Sequence, residues 1–428
     1  PARILIFGAG LAGLSAALRL RSGYRIFERR DRVGGLAETE AEAGYRFDRT
    51  GHLLHLSDRR ARDLVFELIG ERLIEIDRRA RIFSHGVYTR YPFQANLHGL
   101  PPRVAAECLT GFCEAWARRG GERVRARTFE EFIHAHFGPG IARHFMVPYN
   151  RKLWGVHPRE ITDAWCERFV PTPRLAKVVE GAVGVPQERL GYNARFYYPR
   201  DGNGELPAAM ARRAGRVELG RAPRAIDTRR RRVRIGEEWI PYRAIVSSLP
   251  LDALAKLLVD PPERIAAAGA ALRCTSLRYL DVALERPAGT PWHWSYVPER
   301  RFPFYRVGAY SNFSPRMAPA GKGALYVELA ARSPVRLQRL RPRLVDGLVE
   351  MGLIERESDI AFVRPRHLPR AYVLYDAARE RAVPALLEWL EARGIFAAGR
   401  YARFEYAAME DAIAQGIEAA NRAAEAAG

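Results

Sequence analysis

Lysine is nearly missing from these 428 residues: Lys152, Lys177, Lys256 and Lys322 are the only four among 69 basic side chains. Cysteine is equally scarce. Cys108, Cys113, Cys166 and Cys274 show no CxxC spacing and no accompanying histidine cluster, which excludes a zinc site and a disulfide framework and fits a reducing compartment. No apolar run approaches the roughly 20 residues of a membrane span, and the chain opens on a strand pattern, not on a signal peptide, so a cytoplasmic protein is expected. Internal repeats and low-complexity linkers are absent. Despite a net charge of +20 there is no helix-turn-helix or RNA-binding motif, and the arginines are spread along the whole chain. The densest run, Arg229 to Arg232, reads as a solvated hairpin turn, so nucleic acid is not an expected partner.

What is present is the composition of an enzyme: 48% apolar and 28% charged residues suffice for a large core in two or three domains. Residues 3–35 carry its clearest signal. An apolar strand, Ile4 to Phe7, runs into Gly8, Gly10 and Gly13, and apolar residues then recur at helical spacing from Leu14 to Leu20. Gly8 permits the tight turn, Gly10 lets a pyrophosphate approach the backbone, and Gly13 lets helix and strand pack closely, with the helix N-terminus turned to the anion. Glu28 ends the second strand, where a carboxylate accepts from a ribose diol and repels a 2'-phosphate, which argues against NADP. A glycine triplet alone arises by chance, but strand, glycines, helix, second strand and acid together indicate a dinucleotide site. Arg32-Val-Gly-Gly35 follows, and a second glycine pair here resembles flavoproteins of the glutathione-reductase type, so the expected cofactor is FAD, with Gly35 joining Gly8, Gly10, Gly13 and Glu28 in holding it.

The fold class expected is α/β: a discontinuous Rossmann FAD domain of the glutathione-reductase type, a helical domain and an antiparallel sheet domain. Residues 1–80, 190–270 and 385–428 are assigned to the first, 100–189 to the second, and 81–99 with 271–384 to the third. Helical periodicity runs from Val104 to Phe137 and helices continue to about residue 190. Strands are expected at Arg216 to Leu219, Val233 to Ile235 and Ala244 to Ser248, and a sheet from Leu277 to Leu329. Gly394 to Arg400 reads as a buried strand meeting a glycine turn, followed by a helix from Met409 to Ala427.

The middle of the chain carries a further resemblance. Tyr91-Pro-Phe-Gln-Ala-Asn96, Phe145-Met-Val-Pro-Tyr-Asn-Arg-Lys-Leu-Trp154, Trp165-Cys-Glu-Arg168, Asn193-Ala-Arg-Phe-Tyr-Tyr-Pro199, Trp294 to Pro315 and Gly399-Arg-Tyr-Ala-Arg-Phe-Glu-Tyr406 keep an order and spacing similar to UDP-galactopyranose mutases. The resemblance spans nearly the whole chain. It implies that Arg168 and Arg306 grip a diphosphate, a task for which planar guanidinium groups are suited. Tyr296, Tyr372 and Tyr406 are implied to donate to the same phosphates, and Tyr91, Gln94, Phe145 and Asn150 to form a uridine pocket. Trp154 and Asn193 fall near the sugar. In Asp48-Arg-Thr-Gly-His-Leu-Leu-His55, Gly51 and His52 match a loop beside the flavin ring, and Arg400 matches a flavin-contacting arginine. No metal is implied.

The implied activity is interconversion of pyranose and furanose forms of a UDP-sugar, with N5 of reduced FAD as nucleophile at the anomeric carbon and no side-chain nucleophile. The nucleotide diphosphate sugar is then the partner, while the sugar, the reductant and the oligomeric state stay open. Thr50 stands where the family has the first glycine of Gly-Gly-His, and His55 where an aromatic is common. Pro223, which lacks an N–H, stands where relatives use a backbone donor toward adenine, and Ala408 replaces a frequent aspartate. The alternative is a flavin oxidase resembling amine oxidases and protoporphyrinogen oxidases, whose apolar walls would give Arg168 and Arg306 no task.

Overall fold

The computed structural model describes residues 4–186, 194–329 and 336–428. Strand β1 (Ile4–Phe7) lies at the centre of a five-stranded sheet, between β2 (Tyr24–Glu28) and the strand Ala244–Ser247. Val217–Leu219 and Ile395–Ala397 form its edges, and every pairing is parallel. Both faces of such a sheet are covered at its middle, which is why Ile4–Phe7, Ala244–Ser247 and Ile395–Ala397 are buried throughout and read as nearly unbroken apolar runs instead of alternating. Helix α1 (Leu11–Leu20) covers one face together with the last helix, Met409–Ala427. Their contact depends on small side chains: a Cβ on Gly416 would stand 2.1 Å from the Ala12 carbonyl oxygen, and the Ser15 hydroxyl donates to the Ile413 carbonyl at 3.0 Å.

A seven-stranded sheet forms the second layer. Its order is Ile360–Val373, Cys274–Leu284, Gly323–Leu329, Arg306–Ala309, Trp294–Tyr296, Ala80–Ser84 and Val87–Arg90, antiparallel except where Trp294–Tyr296 meets Ala80–Ser84. The register places Tyr296 opposite Arg306 and Arg306 opposite Glu328, so three chemically active side chains share one face in a row across three strands. The architecture is therefore the expected mixture of a Rossmann sheet, helices and a largely antiparallel sheet.

One expected element is divided, and one strand was not foreseen. The periodicity from Val104 to Phe137 is two helices, Pro102–Arg118 and Phe129–Ile141, because Gly120 and Gly121 adopt φ of 59° and 78° and end the first. The longest strand, Ile360–Val373, was not foreseen, since Arg364, Pro365, Arg366, His367, Pro369 and Arg370 hide its pattern. Its arginines are satisfied locally: Arg364 donates to the buried Asp281 at 2.9 Å and Arg366 to Glu40 at 2.7 Å.

A Cβ on Gly13 would stand 1.9 Å from the Gly8 carbonyl oxygen. Gly13→Val should therefore push α1 off the turn, lower stability by about 1–3 kcal/mol and yield protein with little visible flavin absorbance. Full flavin occupancy with an unchanged melting temperature would contradict this packing.

Candidate active site

The turn between β1 and α1 suits a dinucleotide. No side chain caps the N-terminus of α1 at Gly10, so its first N–H groups are open to an anion. Gly8 has a φ of 94° and leaves room for the Ser248 hydroxyl, which an added Cβ would approach to 2.2 Å. A Cβ on Gly35 would stand 3.3 Å from the Gly10 α-carbon, so the two glycines expose bare backbone to each other and to whatever passes between them. Glu28 is fixed at the edge of the turn, its two oxygens accepting from the Ala9 and Arg30 N–H groups at 2.9 Å each. Pro223 is buried at the start of the strand Pro223–Asp227.

Most of the remaining predicted residues surround one cavity of about 220 Å³. Gly51, His52, Tyr91, Gln94, Phe145, Asn150, Trp154, Arg168, Tyr296, Arg306, Arg400 and Tyr406 all line it. Tyr372 is not in the lining but stands behind it, parallel to Tyr406 with ring centres 6.1 Å apart and edge-on to Trp154 at 5.6 Å. Asn193 lies outside the described residues. The helix Val147–Trp154, which presents Asn150 and Trp154, follows a π-helical turn at Ala142–Met146, an irregularity that recurs at functional sites. Phe145 runs near-parallel to both Phe93 and Tyr149, with centroids at 4.8 and 5.3 Å. Asn150 and Gln94 each commit their amide N–H to a carbonyl, of Met146 at 2.8 Å and Pro171 at 2.7 Å.

Both arginines carry a carboxylate. Arg306 donates through Nε to Glu328 at 2.8 Å and through Nη2 to the other oxygen, and Glu328 is fully buried. Burial, the largest single effect, works against the Arg306 charge, but Glu328 together with the nearby Tyr372 and Tyr326 hydroxyls holds the guanidinium well above its ordinary pKa. Arg168 donates twice to Asp411, at 2.8 and 3.0 Å, yet its side chain is 53% exposed. Arg400 donates to the Ala407 carbonyl at 3.0 and 2.7 Å and lies over the Tyr406 ring. Glu328 and Asp411 were not anticipated, although an acid inside the apolar strand Gly323–Leu329 is a signal of a buried ion pair.

The histidine loop is anchored from below. Asp48 is buried and accepts from the Thr39 and Tyr198 hydroxyls at 2.5 and 2.6 Å and from the Asn203 backbone and side chain at 3.1 and 2.7 Å. Asn203 also donates to the His52 carbonyl at 2.9 Å, which ties the loop to the hub. Gly51 has no alternative residue, because its Cβ would meet the Tyr326 hydroxyl at 2.3 Å. Thr50 holds a φ of 63°, a region costing a branched residue about 1–2 kcal/mol. Burial, with Arg400 and Arg306 nearby, pushes the His52 imidazole down to about 3, so it is neutral, and its buried Nδ1 has no partner among the described residues.

Comparison with known proteins places this geometry. A family model for NAD(P)-binding Rossmann-like domains matches residues 6–68, and one for flavin-containing amine oxidoreductases matches residues 184–424. The chain is 25% identical to reduced UDP-galactopyranose mutase, covering 98% of this chain and 95% of that one with a TM-score of 0.91. It shares the fold of cyclohexylamine oxidase from Brevibacterium oxydans IH-35A, with 18% identity, 99% coverage of each chain and a TM-score of 0.70. Phytoene dehydrogenase of Streptomyces griseus is 28% identical over 61% of this chain. The matched stretches span 57 to 59% of the curated relatives. The cofactor is a flavin, which the glycine turn fits.

Removing the carboxylate from Glu328 strands a buried cation. Glu328→Gln should lower stability by about 3 kcal/mol or more in chemical denaturation; a loss near zero would mean that the pair does not carry the Arg306 charge. Asp48 supplies a pH signature. Burial raises its carboxyl from 3.8 to about 6, so the folded state holds the proton more tightly and this group favours folding increasingly as pH falls from about 6 to 4. The melting temperature of the wild type relative to Asp48→Asn should rise as pH falls over that interval, and a pH-independent difference would refute the assignment.

Proposed function

This chain belongs to the flavin-containing amine oxidoreductase family, and we propose that within it the protein is a FAD-dependent mutase interconverting the pyranose and furanose forms of a UDP-sugar. The observation that carries the reading is the convergence of Arg168, Arg306, Tyr296 and Tyr406 on one cavity, in a fold that follows UDP-galactopyranose mutase over almost its full length. Bound FAD in its reduced state would supply the nucleophile for chemistry at the anomeric carbon. The protein then has to hold a leaving diphosphate and exclude water.

Arg306 is suited to a fixed role. Its Nε and Nη2 are committed to Glu328, which leaves Nη1 to meet an anion. Arg168, on an exposed pair, exchanges Asp411 for phosphate oxygens. Burial raises the Tyr296 and Tyr372 hydroxyls above their usual pKa, so both remain donors at neutral pH. The buried Trp154 Nε1 has no acceptor among the described residues and suits a sugar hydroxyl. Gln94 and Asn150, each with one amide N–H given to a backbone carbonyl, offer carbonyl oxygens to the imide N–H of a uracil ring. The oxidase reading draws on the family model, but a protonated amine would enter a cavity bearing three guanidinium groups, of which only Arg306 and Arg168 are matched by a carboxylate among the described residues.

Calorimetric titration of the flavin-loaded protein with UDP, GDP and TDP should give tightest binding for UDP. UDP-galactofuranose should be converted to the pyranose form only after dithionite reduction, and Arg168→Ala should weaken UDP on the order of tenfold. Equal turnover with oxidised flavin, or peroxide release from amines with no UDP binding, would replace the mutase by an oxidase.

A further inference from the structure

Lys152, in a chain whose basic side chains are otherwise almost all arginine, has no place in the functions assigned so far. It does not line the cavity, although Asn150, Leu153 and Trp154 of the same helix do. Its Nζ donates to the carbonyls of Phe304 at 2.8 Å, Val297 at 3.2 Å and Glu299. In its protonated form the side chain has three N–H donors, and all three are spent on backbone, leaving none for a ligand, while burial lowers its pKa from 10.5 to about 7.

Those carbonyls belong to a single loop, residues 297–305, which joins Trp294–Tyr296 to Arg306–Ala309. Its two ends, Tyr296 and Arg306, are direct cross-strand partners and both line the cavity. One turn earlier on the helix, Tyr149 packs edge-on against Tyr296 at 5.4 Å and Tyr305 at 6.0 Å. Helix and hairpin are thus joined by aromatic packing and, separately, by a polar clamp. Three acceptors converging on one point suit a compact ammonium and not a planar guanidinium fork.

We propose that Lys152 is a positioning residue that fixes the distance between the two cavity walls, Asn150 and Trp154 on one side and Tyr296 and Arg306 on the other, and thereby sets affinity for the diphosphate. The ligand named here rests on the nucleotide-sugar reading; the clamp does not. The test uses the flavin-loaded full chain and Lys152→Met, which keeps length and apolar stem but has no donor. Amide hydrogen exchange should quicken at least tenfold across residues 297–304 and stay unchanged in β1 and α1. The Kd for UDP and the KM for the UDP-sugar should rise roughly tenfold, with kcat at saturation altered less than threefold.

Unchanged exchange in 297–304 would overturn the clamp whatever UDP does. Faster exchange with a UDP Kd within twofold of the wild type would overturn its influence on the cavity. If wild-type protein fails to bind UDP, the nucleotide reading falls while the exchange result still decides the clamp. Should Lys152→Met not fold, Lys152→Gln, shorter and with only two donors, is judged by the same measurements and the same limits.

Discussion

A guanidinium can be kept beside a buried cavity only if its charge is matched, and Glu328 is what matches Arg306. The match is set by strand register: Tyr296, Arg306 and Glu328 stand opposite one another on three neighbouring strands, so the sheet that builds the cavity wall also builds the ion pair. Such a pair adds little stability over apolar residues of similar size, and loss of one partner is severe. Its value lies in orientation. With Nε and Nη2 tied down, Arg306 presents one edge in one direction. Tyr326, which lies under the guanidinium at 5.8 Å, also fills the space that Cβ atoms on Gly51 and Gly308 would occupy. The histidine loop and the arginine wall therefore meet on one ring.

The same reasoning applies to the loop that carries His52. A segment of strained and glycine backbone needs an anchor stronger than packing, and Asp48 provides it by accepting four hydrogen bonds in a buried site. Asn203 transmits that anchoring to the His52 carbonyl. Thr50 in the left-handed region shows that the anchor can sustain strain that glycine would have avoided.

What could be read from the amino-acid order was what depends on near neighbours. The β1 to β2 unit was legible because strand, glycines, helix and Glu28 lie within thirty residues and each has its own local cause. The strand Ile395–Ala397 and the helix Met409–Ala427 were legible for the same reason. Most of the cavity residues were reached through the resemblance, because Tyr91, Phe145, Arg168, Tyr296 and Tyr406 acquire a common purpose only when strands and helices far apart in sequence converge. Their partners were not legible. Glu328 meets Arg306 through a cross-strand register, and Asp411 meets Arg168 across 243 residues. Periodicity alone also concealed the Gly120-Gly121 break and the charged, proline-bearing strand Ile360–Val373.

The two carboxylates divide the arginines into different kinds. Glu328 is sealed in the sheet, so Arg306 keeps its partner whether or not a ligand is present. Asp411 is on the first turn of the last helix, where it also accepts the Ala408 N–H at 2.7 Å and so would keep a second task if Arg168 moved to a ligand. Its pair is the exposed one, where the Coulombic gain is small and a doubly charged diphosphate competes well. For the mutase reaction we propose, which must hold a departing group and later return it, one immobile guanidinium and one exchangeable guanidinium form a workable combination. On the proposed reading the first would fix where the phosphate lies, and the second would close over it without leaving an uncompensated charge behind.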